Sequence, residues 1–317
     1  MRVGSDFSGV GAFDQALIRL GIEYKTVFAC DMDKYARQTY IENYGEPKYY
    51  PENVYDREIP KEPLDIYMTS PPCQAFSIAG KKKGEADKRG VLFYNSHEFI
   101  IKNRPRYFIF ENVKGLLSDD NGKTFQRWID YLAKSVNGNP MIFPHEESAK
   151  YHVYHAVLNS KDYGVPQNRE RVFIVGIRDD EDNSFRFPKV QHLTKKLKDV
   201  LEDDVDEKFL LNENQLELIK GQHEHKIEWI ADYRNDEGLR IRKDNNSPCL
   251  TASMKDERTT PLIKKEKKIR KLTPRECFRL QDFPDNFNWS CSDTQAYKQA
   301  GNSITVGVLY NILKNLL

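Results

Sequence analysis

The chain has 317 residues, with 49 Lys and Arg against 48 Asp and Glu, for a net charge of +1. That length supports a large core and predicts one main domain plus a smaller one. The balanced charge excludes a general electrostatic hold on nucleic acid, so any basic face must come from local clustering.

The first half alternates short β-rich runs with amphipathic stretches. Arg2–Gly4 opens a strand, Phe7-Ser8-Gly9-Val10-Gly11 makes a tight turn, and Phe13–Leu20 reads as a helix stopped by Gly21. Lys25–Cys30 is the next strand and Lys34–Asn43 the next helix. Further strands are predicted at Leu64–Thr69, Tyr107–Phe110, Val153–Leu158 and Arg171–Ile177, with helical patterns at Leu92–Lys102 and Phe125–Val136. This alternation points to an α/β fold with a mostly parallel sheet covered on both faces. The last two strands are joined by a polar loop without a helix, and are expected to pair antiparallel at an edge. After Arg178 the rhythm stops. The stretch through about Asp256 is polar with short apolar runs, as in a second, less regular domain. Within it, Asn212 and Gln215 predict a capping box for a helix Gln215–Lys220. An apolar helix, Val306–Leu317, ends the chain.

The five cysteines (Cys30, Cys73, Cys249, Cys277, Cys291) are scattered, with no CxxC pair, which argues against a disulfide framework or a zinc site. His223-Glu224-His225 puts its imidazoles on different helical faces, so no metal is expected there. Met1–Asp6 has no apolar leader core, and no apolar run approaches membrane-spanning length. The expectation is a soluble protein of the reducing cytoplasm, with no membrane association.

Several residues have chemistry to offer. The Phe7–Gly11 turn between strand and helix has the form of a nucleotide-type cofactor loop: glycines admit the ligand, and the helix start offers free N–H groups. Asp31, ending the second strand, is placed to accept hydrogen bonds from a ribose. Cys73, in Pro71-Pro72-Cys73-Gln74, follows a strand at its carboxyl end, where open α/β sheets hold ligands. Alone it reads as an inert buried thiol or as a nucleophile, and pairing with His152 or His155 would be hydrolase chemistry. Glu111 also ends a strand, and is either a solvated acid or a partner for a ring nitrogen. Arg169 and Arg171 alternate along the approach to the last strand, so both are expected to face one site. The basic runs Lys81–Lys83 and Lys264–Lys271 read as solvated loops or phosphate contacts.

Taken together, these segments resemble the bacterial DNA (cytosine-5)-methyltransferases, in the family's own motif order, from Phe7 almost to the last residue. Phe7–Gly11 is similar to the first cofactor motif, with Ala12 where a further Gly is common. Asp31-Met32 matches the ribose acid and its adenine-packing neighbour, and Asn53 or nearby Asp56 the adenine contact. Pro71–Ser77 resembles the nucleophile motif, with Arg89–Phe93 ending its loop. Glu111-Asn112-Val113 and Gln167–Arg171 match the glutamate and arginine motifs. Leu272–Pro284 is similar to the motif closing the recognition domain, and Gln299–Ile304 to the final cofactor motif. Ser247–Ala252 resembles an internal recognition motif, with Cys249 in place of the usual Thr.

The resemblance implies a Rossmann-like S-adenosylmethionine-dependent methyltransferase sheet with an antiparallel last strand. Residues 1–187 and 291–317 would form the catalytic domain and 188–290 a smaller, irregular target-recognition domain. Cofactor contacts would come from Phe7, Gly9, Gly11, Asp31, Met32, Asn53, Pro72, Leu92, Asn302 and Ser303. In the family's chemistry Cys73 attacks C6 of a flipped cytosine, Glu111 bonds N3 and the amino group, and Arg169 holds O2, with Arg171 second in line. Implied partners are double-stranded DNA and a separately acting cognate restriction endonuclease. The chain would work as a monomer on bacterial or phage-borne DNA in the cytoplasm. Three rivals are a tRNA (cytosine-5)-methyltransferase, which also carries a motif like Ser70–Gln74, a thymidylate-synthase-like enzyme, and a non-catalytic DNA-binding module.

Overall fold

The computed structural model describes residues 1–72, 91–220, 230–234, 238–265 and 268–317. Cys73, Lys81–Lys83, Arg89 and His223–His225 lie outside them. The described chain divides into two compact units. The first comprises Met1–Leu158, Glu170–Pro188 and Ile312–Leu317, and the second Asn159–Arg169 and Lys189–Asn311.

The first unit is built on a mixed sheet. Its strands are β1 (Arg2–Asp6), β2 (Lys25–Cys30), β3 (Ile66–Thr69), β4 (Tyr107–Val113), β5 (Ala133–Val136), β6 (Asn139–Pro140), β7 (Tyr151–Asn159) and β8 (Glu170–Ile177), in the order β2-β1-β3-β4-β8-β7-β5-β6. β1 to β4 run parallel to one another, and β8 is antiparallel to β4. All of β3 is buried, as is β4 up to its last residue, as expected of central strands covered on both faces. The helices are α1 (Ala12–Leu20), α2 (Lys34–Tyr44), α3 (Val91–Asn103) and α4 (Lys123–Leu132). Aromatic side chains fill the core: Phe93 stacks on Trp128 at 4.4 Å and Tyr67 on Phe99 at 4.2 Å between centroids.

Two expectations change here. The helix predicted to run to Val136 stops at Leu132, and Ala133–Val136 forms β5, parallel to β7. The cause is the turn Asn137-Gly138, both at positive φ, which folds β6 back on β5. The last two strands, β7 and β8, are indeed neighbours, but they lie inside the sheet; its edges are β2 and β6.

The second unit is more regular than its composition suggests. It contains an antiparallel sheet of β9 (Ile230–Arg234), β10 (Gly238–Ile241), β11 (Leu262–Lys265) and β12 (Lys268–Lys271), in the order β10-β9-β11-β12. Leu211, Ala231, Leu262 and Ile269 form a small core under it. The basic run therefore contributes strands, with Arg270 buried and paired to Glu276 at 2.6 Å. The helices are α5 (Glu213–Lys220), α6 (Pro274–Arg279), α7 (Asp293–Asn302) and α8 (Val306–Leu316). The predicted cap is present: Gln215 N donates to Asn212 Oδ1 at 2.9 Å and Asn212 N to Gln215 Oε1 at 3.0 Å. Among the described residues, no helix is long and apolar enough to cross a membrane.

Candidate active site

The turn after β1 is set by backbone conformations that few residues tolerate. Phe7, Gly9 and Gly11 all have positive φ, and Gly11 caps α1. A Cβ on Gly11 would come within 2.2 Å of the Tyr44 ring, so the turn packs only as glycine there. Beside Gly9 the space is open. Asp31, just past β2, ties this turn down: Gly9 N donates to its Oδ2 and Asp33 N to its Oδ1, both at 2.8 Å. Burial raises the Asp31 pKa, while these backbone donors pull it back. Each carboxylate oxygen has a second lone pair, which leaves capacity to accept a hydroxyl. Next to it Met32 is 83% exposed, an apolar surface beside the acid. An acid beside an exposed thioether, facing an open glycine turn, fits a nucleoside.

Neighbouring residues brace this region. The Arg37 guanidinium lies 4.0 Å from the Tyr50 ring and donates to Pro51 O at 3.1 Å, holding the 49–51 segment along β2. Asn53 is exposed and its Oδ1 accepts from Tyr55 N at 3.1 Å, closing the turn that also carries Asp56. Leu92, on α3, packs against the core, as does Phe7. Asn302 and Ser303 belong to the second unit, at the end of α7, with Asn302 exposed and Ser303 buried.

At the carboxyl end of β3, Ser70 Oγ donates to Phe7 O at 3.4 Å, and Asn112 Nδ2 donates to Pro71 O at 3.0 Å. The chain leading to Cys73 is thus fixed to β4 up to Pro71, with Pro72 exposed. One residue before Asn112, Glu111 is 8% exposed. In the β4–β8 register Glu111 faces Phe173 and Val113 faces Arg171, which sets Arg171 diagonally from Glu111 on the same sheet face. Arg171 Nε lies 3.1 Å from Glu111 Oε1. A nearly buried carboxylate beside a guanidinium offers both an acceptor and a cationic donor for a planar polar ring.

Arg169 is placed differently from expectation. It precedes β8 and belongs to the second unit, where its guanidinium donates to Leu250 O (2.8 Å), Ser303 O (2.7 Å), Gly301 O (3.1 Å) and Cys249 Sγ (3.4 Å). Arg169 and Arg171 do not share a target, because the alternation assumed for them begins only where β8 begins, at Glu170. The Arg169 clamp joins three motif segments. Gly301 sits so close to the Thr251–Ala252 backbone that a Cβ would fall 2.1 Å from Thr251 O. Gln167 bonds Leu280 O at 2.6 Å and accepts from Leu250 N at 3.1 Å, and Gln281 Nε2 donates to Ala300 O at 2.8 Å. These glutamines were not singled out in the sequence; their position inside the matched motifs was the available signal.

Asp6 carries no signal in the sequence, yet it is buried. Its carboxylate receives Arg57 Nε at 2.8 Å and the Tyr67 hydroxyl at 2.5 Å, one residue before the Phe7–Gly11 turn. Burial, then Asp6, push the neighbouring Cys30 thiol up to about 12, so it stays protonated and inert. Burial likewise raises Cys277 well above the usual thiol range. Among the described residues no group of three or more His, Cys, Asp or Glu could hold a metal.

The sequence profile described as C-5 cytosine-specific DNA methylase matches residues 1–317. The type II methyltransferase M.Bsp6I of Bacillus sp. (strain RFL6) is 37% identical over 100% of this chain and 98% of its own length. M.HhaI of Haemophilus parahaemolyticus is 33% identical, over 98% of this chain and 92% of its own. A solved DNMT2 structure from Spodoptera frugiperda has the same fold, with a TM-score of 0.73 at 22% identity over 99% of each chain. With a profile match along its whole length and relatives that it spans almost completely, the chain belongs to the C-5 cytosine-specific DNA methylase family.

Proposed function

We propose that this enzyme methylates C5 of a flipped cytosine in a specific duplex DNA site, through a covalent adduct between Cys73 and C6. The observation that carries this reading is the Glu111–Arg171 pair at 3.1 Å, on the strand whose Asn112 fixes the approach to Cys73. C5 of cytosine is a weak nucleophile. Addition of the Cys73 thiolate to C6 moves electron density to C5, as in covalent catalysis generally. Glu111 bonds N3 and the exocyclic amino group, stabilising the charge that develops in the ring. Arg171 takes the O2 contact, since Arg169 is engaged by the 249–250 and 301–303 backbone. Once C5 carries the methyl group, loss of its proton and expulsion of the Cys73 thiolate restore the aromatic ring. These atoms are out of reach in a stacked duplex, so the base leaves the helix at a cost of about a few kcal/mol.

S-adenosylmethionine supplies an electrophilic methyl group when bound. Asp31 would hold its ribose, Met32 its adenine, and Phe7, Gly9 and Gly11 its amino-acid end, with Asn53, Pro72, Leu92, Asn302 and Ser303 completing the site. Residues 188–290 would recognise the DNA target, through polar side chains between Tyr233 and Arg258. The enzyme would act as a monomer beside a separate cognate endonuclease.

The test is incubation with duplex DNA containing 5-fluorocytosine and the methyl donor. A denaturation-resistant protein–DNA adduct is expected, and none from Cys73→Ser. Full methyl transfer by Cys73→Ser would refute the covalent scheme. Preferential transfer to tRNA in a parallel reaction would refute the choice of substrate.

A further inference from the structure

The balanced charge of the whole chain hides a local imbalance. Residues 189–198 of the second unit contain Lys189, Lys195, Lys196 and Lys198 and no Asp or Glu. Lys189, Lys196 and Lys198 are exposed and form no ion pair with any described residue, whereas Lys195 Nζ lies 4.0 Å from Asp282 Oδ1. Asp199, the next residue, is occupied by the backbone: its Oδ2 accepts from Lys196 N at 2.7 Å, at the start of the 3₁₀ turn Leu197–Val200. The acidic stretch 202–207 bounds the patch beyond that turn. Like charges held near one another repel, and an anion laid over them removes that repulsion.

The lysines sit on a segment that is pinned in place. Gln191 N donates to Asp162 O at 3.0 Å and Gln191 Nε2 to Asn311 Oδ1 at 2.7 Å, while Leu197 and Val200 are buried at its far end. Residues 190–193 also line an open depression of about 380 Å³ with Lys161, Asp162 and Asn246. Lys161 and Asp162 offset each other in charge, so the depression is not itself an anion pocket. Its value is its position: Asn246 belongs to the 233–258 segment proposed to read the DNA target. A duplex gripped by that segment continues beyond it on either side, and the lysine strap adjoins it. Lysine is a hydrated point charge, suited to holding phosphates without reading bases. We propose that Lys189, Lys196 and Lys198 contact backbone phosphates of the duplex DNA flanking the target site, adding affinity without sequence preference. The proposal rests on the DNA-substrate reading above.

Fluorescence anisotropy tests it, with two labelled duplexes of unrelated sequence titrated with the full chain over a series of KCl concentrations. Each lysine–phosphate contact contributes about 0.9 to the slope of log affinity against log salt. The combined variant Lys189→Gln, Lys196→Gln, Lys198→Gln should therefore lower the slope by roughly 2–3 on both duplexes. Between about 50 and 200 mM KCl the wild type should lose roughly forty-fold more affinity than this variant. The matching variant with arginine at all three positions should keep the wild-type slope. Both variants should keep the maximal methylation rate at saturating DNA. All three side chains are exposed, so the melting temperature should stay at the wild-type value. Equal slopes for the glutamine variant and the wild type would overturn the proposal and leave a solvated lysine strap; adduct formation with 5-fluorocytosine DNA would then keep the substrate reading intact. A slope change confined to tRNA, titrated in parallel, would overturn the choice of partner. Absence of duplex binding by the wild type would overturn this surface together with the substrate reading.

Discussion

Replacing Arg169 separates its two candidate roles, holding the cytosine O2 or holding the protein together. In Arg169→Met the carbonyls of Leu250, Gly301 and Ser303 lose a charged donor now at 2.7–3.1 Å. Leu250 is 1% and Ser303 7% exposed, so water replaces that donor poorly. Three buried carbonyls at about 1–2 kcal/mol each amount to roughly 3–6 kcal/mol. Against a typical total stability of about 5–15 kcal/mol, this is a large fraction. Thermal unfolding followed by circular dichroism should show a melting temperature lower by roughly 5–15 °C. Arg169→Lys should recover part of the loss, because one ammonium cannot span the same acceptors. Arg171→Lys, which keeps a cation beside Glu111, should cost far less stability and more activity. An Arg169→Met protein that melts with the wild type yet cannot methylate DNA would refute this assignment and return the O2 contact to Arg169.

Glu111→Gln preserves the shape of the side chain and removes its charge, so the maximal methylation rate should drop by roughly 10²–10³ while the KM for DNA changes little. Single-turnover methyl transfer measures it, and an unchanged rate would exclude Glu111 from the chemistry. In α1, burial pushes Asp14 up to about 6, opposed by hydroxyl donors including Tyr24 and Thr26. Its folded pKa lies above the unfolded value of about 3.9, so the folded state binds the extra proton between these values and stability falls as pH rises through that window. Asp14→Asn should therefore raise the melting temperature at pH 8 more than at pH 5. An equal change at both pH values would show that Asp14 ionises normally.

The parallel half of the sheet is legible because each βα unit carries its own punctuation: Gly21 after α1, Asp33 capping α2, and nearly continuous apolar runs in β3 and β4. The cofactor turn and Glu111 are legible for the same reason, since they sit where strands end. The fate of Arg169 is not. Its partners at 249–250 and 301–303 are 80 to 134 residues away, and no local pattern encodes such a contact. The β11–β12 half of the second sheet is obscured by its lysines, two in each four-residue strand, which leave no apolar alternation to read. Asp6 is hidden differently: an acid inside a short strand looks like an error until Arg57 and Tyr67 are seen around it.

That triad also constrains the order in which the chain assembles. Asp6 leaves the ribosome early, while the cation that makes its burial tolerable follows 51 residues later and the tyrosine 61 later. Until both have emerged, closing β1 into a core would strand an uncompensated carboxylate in an apolar interior, at a cost of several kcal/mol. The N-terminal strand is therefore held back from premature collapse, and the earliest stable nucleus must reach at least as far as β3. The cofactor turn that follows Asp6 takes its shape in the same step.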